Sequence, residues 1–121
     1  VQTLHAAGAD VQYISIPSNG RWYDHIGIKK DRREAVYKKI HSTVVDNGGK
    51  IYDMTNKDYE KYVISDAVHI GWKGWVYVDQ QIARHMDGHD PKNHKVDYSK
   101  NKPPHKHHKA HKHNKNREHQ E

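Results

Sequence analysis

The sequence predicts an α/β fold with a parallel sheet, and three consecutive segments carry this prediction. Residues 11–16 (VQYISI) and 50–54 (KIYDM) are rich in β-branched and aromatic side chains, which is typical of strands. A helical pattern lies between them. Two strands joined through a helix form a βαβ unit, and its strands run parallel because the helix returns the chain to the same end of the sheet.

The first elements are bounded by glycine and proline. Residues 1–7 predict a helix that ends at Gly8, and Pro17 ends the first strand. The segment 17–27 (PSNGRWYDHIG) is predicted to be a loop, with the Asn-Gly pair at 19–20 as its turn. Because the chain starts at Val1 inside a helical pattern, we expect it to be a piece of a larger protein.

The helix between the strands has the clearest pattern. Asp31 and Glu34 resemble a capping box, with Asp in place of Ser or Thr, and Gly48–Gly49 ends the helix. Apolar residues repeat every four positions and predict a buried face. That face comprises Val36, Ile40 and Val44, with Tyr37 beside them.

Two helices are predicted after the second strand. Thr55 or Asn56 caps a short helix through Tyr62, and the last helix runs from Trp72 to Met86. The last helix carries an apolar stripe: Trp75, Val78, Ile82 and Met86.

Two glycines and two tryptophans mark the start of the last helix. Gly71 and Gly74 are expected to allow the helix to approach the sheet closely. Trp72 and Trp75 have helical spacing, which favours a place in the core. The alternative is that they contact a glycan or a lipid headgroup.

Composition divides the chain near residue 87. Only 33% of the residues are hydrophobic, the mean hydropathy is −1.22 and the formal net charge is +6. All three Trp and seven of the eight Tyr precede residue 87, whereas residues 87–121 hold nine Lys or Arg and eight His. We therefore predict a globular part over 1–86 and a disordered His/Lys-rich tail over 87–121.

Composition also excludes several classes of chemistry. The chain has no Cys, which excludes disulfides, thiol catalysis and Cys-ligated zinc. Its apolar runs are only a few residues long, so no transmembrane helix or signal peptide is predicted. We expect no cofactor and no defined metal site. Nucleic acid is not expected as a partner either, because the globular part is only slightly basic and has no recognised nucleic-acid motif.

Asp66 and His69 are the candidate catalytic residues. A carboxylate three residues before a histidine can accept a hydrogen bond from one imidazole nitrogen, which leaves the other nitrogen free as a base. The spacing alone carries little information, because a chain with 11 Asp and 13 His is expected to contain it by chance. On spacing alone, a turn histidine held by a nearby carboxylate is the more common situation.

The sequence around this pair resembles a known family. The block 65–75 (SDAVHIGWKGW) is similar to the last block of the SGNH-hydrolase superfamily, in which D-x-x-H precedes the final helix. More specifically, three stretches resemble the C-terminal region of the DltD family of D-alanyl-lipoteichoic acid transfer proteins, over roughly residues 1–86. They are NGRWYDHIG at 19–27, YDMTNKDYEKYVISD at 52–66 and HIGWKGWVYVD at 69–79.

The resemblance implies a fold, a site and a location. The fold is the C-terminal part of a flavodoxin-like (SGNH-hydrolase-like) three-layer sandwich with a parallel sheet. Asp66 and His69 belong to a Ser-His-Asp triad whose serine lies upstream of this chain, so the chain alone is expected to be inactive. A membrane anchor outside this chain would hold the protein at the extracellular face of the plasma membrane of a Gram-positive bacterium. The partners would be lipoteichoic acid, a polyglycerol phosphate, and the other D-alanylation machinery.

Two further groups of residues are candidates for binding. Asn19, Trp22 and Tyr23 follow the end of a strand, where open α/β sheets bind ligands. The alternative is an Asn-Gly turn with aromatic residues packed on the sheet. The basic run of Lys29, Lys30, Arg32 and Arg33 is more typical of a solvated face than of a teichoic acid site.

The His-rich segment 105–113 (HKHHKAHKH) supports a hypothesis about charge. Histidine titrates near pH ~6.5, so mild acid would raise the charge of the tail and favour a polyphosphate such as teichoic acid. Weak binding of Zn²⁺, Ni²⁺ or Cu²⁺ is also expected of such a segment.

Three functions remain open at this point. The leading one is transfer of a D-alanyl group to teichoic acid. The second is a thioesterase or esterase of the same fold that removes D-alanine, which would use the same residues with water as the acceptor. The third is a non-catalytic module that binds a polyanion or a metal through the tail.

Overall fold

The computed structural model describes residues 1–89 and 96–103 of a mixed α/β chain. The order is α1 (Gln2–Ala6), β1 (Gln12–Ser15), α2 (Gly20–His25), α3 (Lys30–Asp46), β2 (Lys50–Asp53) and α4 (Trp72–Met86). A single 3₁₀ turn, Thr55–Lys57, follows β2.

The two strands form the predicted parallel sheet. β1 pairs with β2 from Gln12 opposite Lys50 to Ser15 opposite Asp53. The amide of Met54 extends the pairing with a 3.0 Å hydrogen bond to the carbonyl oxygen of Ser15. Since α3 connects the strands, the βαβ prediction is confirmed.

The predicted buried face of α3 was right for two of its four residues and wrong for the other two. Val44 and Tyr37 are buried, but Val36 and Ile40 are exposed, and the third buried side chain is that of Arg33. The face is therefore rotated toward a charged residue, because Arg33 meets its hydrogen-bond partners inside the protein.

Three other local predictions were also wrong: a capping box, a loop and a short helix. The helix α3 has Lys29 at its N-cap with no side-chain cap, so the predicted capping box of Asp31 and Glu34 is absent. The expected loop 17–27 contains the short helix α2. After β2, the expected helix through Tyr62 is reduced to the 3₁₀ turn, which has no side-chain cap.

The last helix has the predicted bounds and a different buried face. Gly74, Val78 and Gln81 are buried. Of the predicted stripe, Val78 is therefore confirmed as buried, whereas Trp75, Ile82 and Met86 are exposed. Trp72 is also exposed, so the prediction that the two tryptophans are core residues was wrong. Trp72 packs its ring against Tyr62, with 5.6 Å between the ring centroids.

The close approach predicted at the two glycines is present, against the preceding loop. A Cβ atom on Gly71 would lie 2.2 Å from the carbonyl oxygen of Tyr62, and one on Gly74 would lie 2.4 Å from that of Val63. These distances are too short for any side chain. Glycine therefore allows α4 to begin directly against residues 62–63, which places the intervening loop.

The hydrophobic core joins β2, this loop and α4. Its buried members are Met54, Val63, Ile64 and Val78, and partly buried Ile14, Tyr52, Ile70 and Tyr77 pack around them. Both ends of the loop 63–71 are therefore anchored in the core.

Part of the predicted disordered tail packs on the α/β body. In 96–103, Tyr98 and Asn101 are buried, which differs from the expectation of disorder for these eight residues. The His-rich segment 105–113 lies outside the described residues, and the division of the chain near residue 87 stays a prediction. Within the described ranges, no helix has both the length and the apolar character needed to cross a membrane.

The contact at Gly74 gives a prediction about stability. Replacing an exposed glycine inside a helix with alanine usually raises the free energy of unfolding by about 1 kcal/mol. Here we expect Gly74→Ala to lose roughly 1–3 kcal/mol, because the new methyl group would collide with the Val63 carbonyl and the Ile70 side chain. Urea unfolding followed by circular dichroism measures the difference.

The control is Gln80→Ala, at an exposed position of the same helix. We expect it to change the free energy of unfolding by less than about 0.5 kcal/mol. A gain in stability from Gly74→Ala would contradict the close packing described above.

Candidate active site

The loop between the 3₁₀ turn and α4 presents Asp66 and His69 at its tip. The amide of Gly71 donates to the carbonyl oxygen of Val63 at 2.7 Å, and Ile64 pairs with Ile70 in an antiparallel bridge. One step further out, the amide of Ser65 donates to the carbonyl oxygen of His69 at 2.8 Å. Backbone hydrogen bonds thus join the two sides of the loop from its base to its tip.

Asp66 is held by the turn as well as by the imidazole. Its Oδ1 atom accepts hydrogen bonds from the amides of Val68 and His69, each at 2.9 Å. Its Oδ2 atom lies 2.6 Å from Nδ1 of His69. The amides of His69 and Val68, followed by the imidazole, lower the pKa of Asp66 from 3.8 to about 2.

This arrangement favours one protonation pattern. An ionised carboxylate only accepts, so Nδ1 of His69 carries a hydrogen, and in the neutral imidazole the lone pair is then on Nε2. The histidine side chain is 78% exposed and that of Asp66 is 50% exposed, so a reactant can reach Nε2. The pair has the geometry of an oriented general base, and its catalytic role stays a prediction.

Asn19 is tied to this turn through the backbone. Its amide donates to the carbonyl oxygen of Ala67 at 3.0 Å. Its side-chain oxygen caps α2 by accepting from the amide of Trp22 at 3.4 Å. Trp22 is exposed and Tyr23 is partly exposed. Of the three predicted binding residues, Asn19 is the one that the structure connects to the turn of the candidate pair, through its hydrogen bond to Ala67.

A cleft of about 320 Å³ lies beside the turn. Asn19, Ser65 and Trp72 are among its lining residues, as are the cationic Arg21 and Lys61. Asp66 and His69 are not among the lining residues. The hydroxyl of Ser65, the serine of the loop, donates to the carbonyl oxygen of His69 at 3.2 Å.

Two lining residues of this cleft, Asp58 and Tyr59, belong to a charge cluster around the buried Arg33. Arg33, whose side chain is 3% exposed, donates to Asp24 at 2.6 Å and to Asp58 at 3.2 Å. It also donates to the hydroxyl of Tyr59 at 2.9 Å and the carbonyl oxygen of Ile28 at 2.8 Å. Burial disfavours the charge, but the hydrogen bonds of Asp24 and Tyr59 and the charge of Asp58 raise the pKa of Arg33. Arg33 is thus internal, rather than part of a solvated basic run.

Sequence reasoning missed a second aspartate–histidine pair. Nδ1 of His41 lies 2.8 Å from Oδ2 of Asp53, at the end of β2. The other oxygen of Asp53 accepts from the amide and the hydroxyl of Thr55, and that hydroxyl lies 2.6 Å from the hydroxyl of Tyr98. No spacing rule could reveal this pair, because its members lie on different elements.

The described residues contain no cluster of three or more His, Asp or Glu side chains arranged to hold a metal ion.

Comparison with known proteins finds one matching family and several similar relatives. The family model described as DltD protein matches residues 1–87. Protein DltD of Staphylococcus aureus (strain NCTC 8325 / PS 47) is 85% identical over 88 residues, which are 73% of this chain and 22% of the relative. Protein DltD of Bacillus subtilis (strain 168) is 43% identical over 79 residues, or 65% of this chain and 20% of the relative. The chain spans about a fifth of the length of these curated relatives.

The hydrogen bonds of Asp66 predict its titration. We expect the carboxyl carbon of Asp66 to titrate in NMR spectra with a pKa of about 2, well below 3.8. Because the folded-state pKa is depressed, the contribution of this turn to stability is present above pH ~3.9 and is lost as the pH falls through about 2.

The variant His69→Ala tests the origin of the shift. It removes the imidazole and keeps both amide donors, which are the larger causes, so the pKa of Asp66 should rise only part of the way to 3.8. A complete return to 3.8 would show that the backbone turn does not hold the carboxylate.

Proposed function

This chain belongs to the DltD family, and we propose that it supplies a histidine base and its orienting aspartate to a site that adds D-alanine to lipoteichoic acid. The observation that carries the proposal is the 2.6 Å contact between Nδ1 of His69 and Asp66, within the residues that match the family. The nucleophilic serine would come from outside this chain.

The two side chains would divide the work of proton transfer. Nε2 of His69 takes the proton of a hydroxyl as that oxygen attacks the D-alanyl carbonyl carbon, and the same nitrogen then returns the proton to the leaving group. Asp66 stabilises the imidazolium that forms between these steps. Its pKa of about 2 keeps it ionised near neutral pH.

The cleft beside the turn is the proposed place for the acceptor. Arg21 and Lys61 line it, and two cations suit the phosphates of a polyglycerol phosphate chain. Asn19 lies at the junction of the cleft and the turn, and exposed Trp22 lies on the same helix as Arg21. We assign acceptor contacts to Asn19 and Trp22, with Tyr23 on the same helix as a further candidate.

The fold and location of the whole protein follow from the same proposal. The two-stranded sheet would be part of a larger flavodoxin-like, three-layer sandwich. The exposed apolar side chains of Trp75, Ile82 and Met86 on α4 support this, because the missing part of such a domain would cover them. The protein would act at the extracellular face of the plasma membrane, together with other D-alanylation proteins and through an anchor outside this chain.

A hydrolase of the same fold is the second candidate. The exposure of His69, 78% of its side chain, is compatible with it, since water reaches the imidazole as readily as a polyol does. Water in place of the acceptor hydroxyl would release D-alanine instead of transferring it.

The deciding experiment measures D-alanine esters on the cell wall. Residues 1–87 of this chain replace the matching segment of the S. aureus relative, and the chimera is the only copy of the protein in the cell. We expect His69→Ala and Asp66→Asn to lower the transfer rate by about 10²–10⁴-fold, so that ester content falls to background. Alkaline release and chiral chromatography measure it.

The matched control is His25→Ala, which removes an exposed histidine at the end of α2 and should leave the ester content unchanged. Immunoblotting confirms equal amounts of each protein. An unchanged ester content in His69→Ala would refute the catalytic assignment, and a raised content would establish the hydrolase.

A further inference from the structure

Residues 96–103 lie beyond the part of the chain that matches the family, yet they dock on it through specific contacts. Tyr98 stacks on Tyr37 of α3, with ring centroids 6.4 Å apart and planes inclined by 14°. Its hydroxyl lies 2.6 Å from that of Thr55. Both side chains at this contact, Tyr98 and Thr55, are buried. This is a formed interface inside the chain.

Asn101 makes the second anchor, on a buried charge. Its side-chain amide donates to Oδ1 of Asp58 at 2.5 Å, and the Asp58 side chain is fully inaccessible to solvent. Lys30 donates to the carbonyl oxygen of Asn101. Burial raises the pKa of Asp58, and the hydrogen bond from Asn101 and the charge of Arg33 oppose that rise. Without Asn101, one oxygen of a buried carboxylate would lose its donor.

Asp58 is joined to α2 in two ways. Its carbonyl oxygen accepts from the amide of Gly20 at 2.8 Å. Its carboxylate binds Arg33, which in turn binds Asp24 on α2. The fit is tight, because a Cβ atom on Gly20 would lie 2.9 Å from the Asp58 carbonyl oxygen. The backbone of Asp58 and the start of α2 are therefore packed directly against each other.

The start of α2 is joined to the candidate site. The residue before Gly20 is Asn19, whose amide donates to the carbonyl oxygen of Ala67. Ala67 lies in the turn whose amides hold Asp66. Hydrogen bonds, linked by short stretches of backbone, thus connect Asn101 through Asp58 and the start of α2 to the turn that carries Asp66 and His69.

We propose that residues 97–101 form a latch, in which Tyr98 and Asn101 are positioning residues that fix Asp58, and through it α2 and the turn that carries Asp66 and His69. The latch acts on the geometry of the pair, so it can be tested by measuring the pair itself, with no assay of D-alanine transfer. Its consequence for D-alanine transfer rests on the function proposed above.

The test uses the isotope-labelled 121-residue chain and two NMR signals. One is the pKa of the Asp66 carboxyl, and the other is the nitrogen chemical shift of His69, which reports which ring nitrogen carries the hydrogen. In the double variant Tyr98→Ala, Asn101→Ala, we expect the pKa of Asp66 to rise from about 2 toward 3.8, and the preference for hydrogen on Nδ1 to weaken. The control is Lys100→Ala, an exposed residue of the same segment, which should leave both signals unchanged.

A peptide with the sequence of residues 96–103 gives the rescue experiment. Added in excess to the double variant, it should restore both signals, whereas a peptide with alanine at the Tyr98 and Asn101 positions should not. The ring signals of Tyr37, which stacks on Tyr98, report whether the segment has detached. If it has detached in the double variant while Asp66 and His69 keep their signals, the latch does not position the site. If the double variant unfolds and the peptide fails to refold it, these residues serve general stability and the proposal is wrong.

The latch and the proposed function fail in different ways. An ester content that is unchanged in His69→Ala would refute the function and leave the NMR result standing. Intact NMR signals in the double variant would refute the latch and leave the triad standing.

Discussion

The buried guanidinium of Arg33 is the interaction on which the arrangement of the described residues depends. It satisfies its donors with Asp24, Asp58, Tyr59 and the carbonyl oxygen of Ile28. Moving a charge into the protein is costly, and a buried pair that loses one partner destabilises a fold by about 3–5 kcal/mol. The four partners come from α2, the segment before α3 and the segment after β2. One side chain on α3 therefore fixes the positions of three neighbouring segments.

The candidate site takes its precision from this buried cluster and from backbone hydrogen bonds. The tip of the loop is open to solvent, since 78% of the His69 side chain and 50% of the Asp66 side chain are exposed. Its base is held by Val63 and Ile64 in the core, and its side is held by the amide of Asn19. A surface turn can stay preorganised in this way, because the elements that flank it cannot move independently of the core.

The sequence allowed the path of the chain to be predicted better than its contacts. The strands, their parallel pairing and the bounds of α4 follow from apolar pattern and from glycine and proline, which act locally. The buried faces of the helices do not, since Arg33 takes a place that Val36 or Ile40 was expected to fill. The pair at 66 and 69 was identified because its members are close in sequence. The pair of His41 and Asp53 and the docking of Tyr98 join distant residues, for which one sequence offers no signal.

Exposure separates the role of the pair Asp66 and His69 from that of the pair Asp53 and His41. Asp53 is 2% exposed and also binds Thr55, so His41 completes a buried network that ties α3 to β2. A general base must come within hydrogen-bond reach of the proton it removes. His69 is open to such an approach, because two backbone amides hold Asp66 without burying the pair, and 78% of the His69 side chain is exposed. Since the turn itself orients the imidazole, the rest of an active site can assemble around Nε2 without first rearranging this loop.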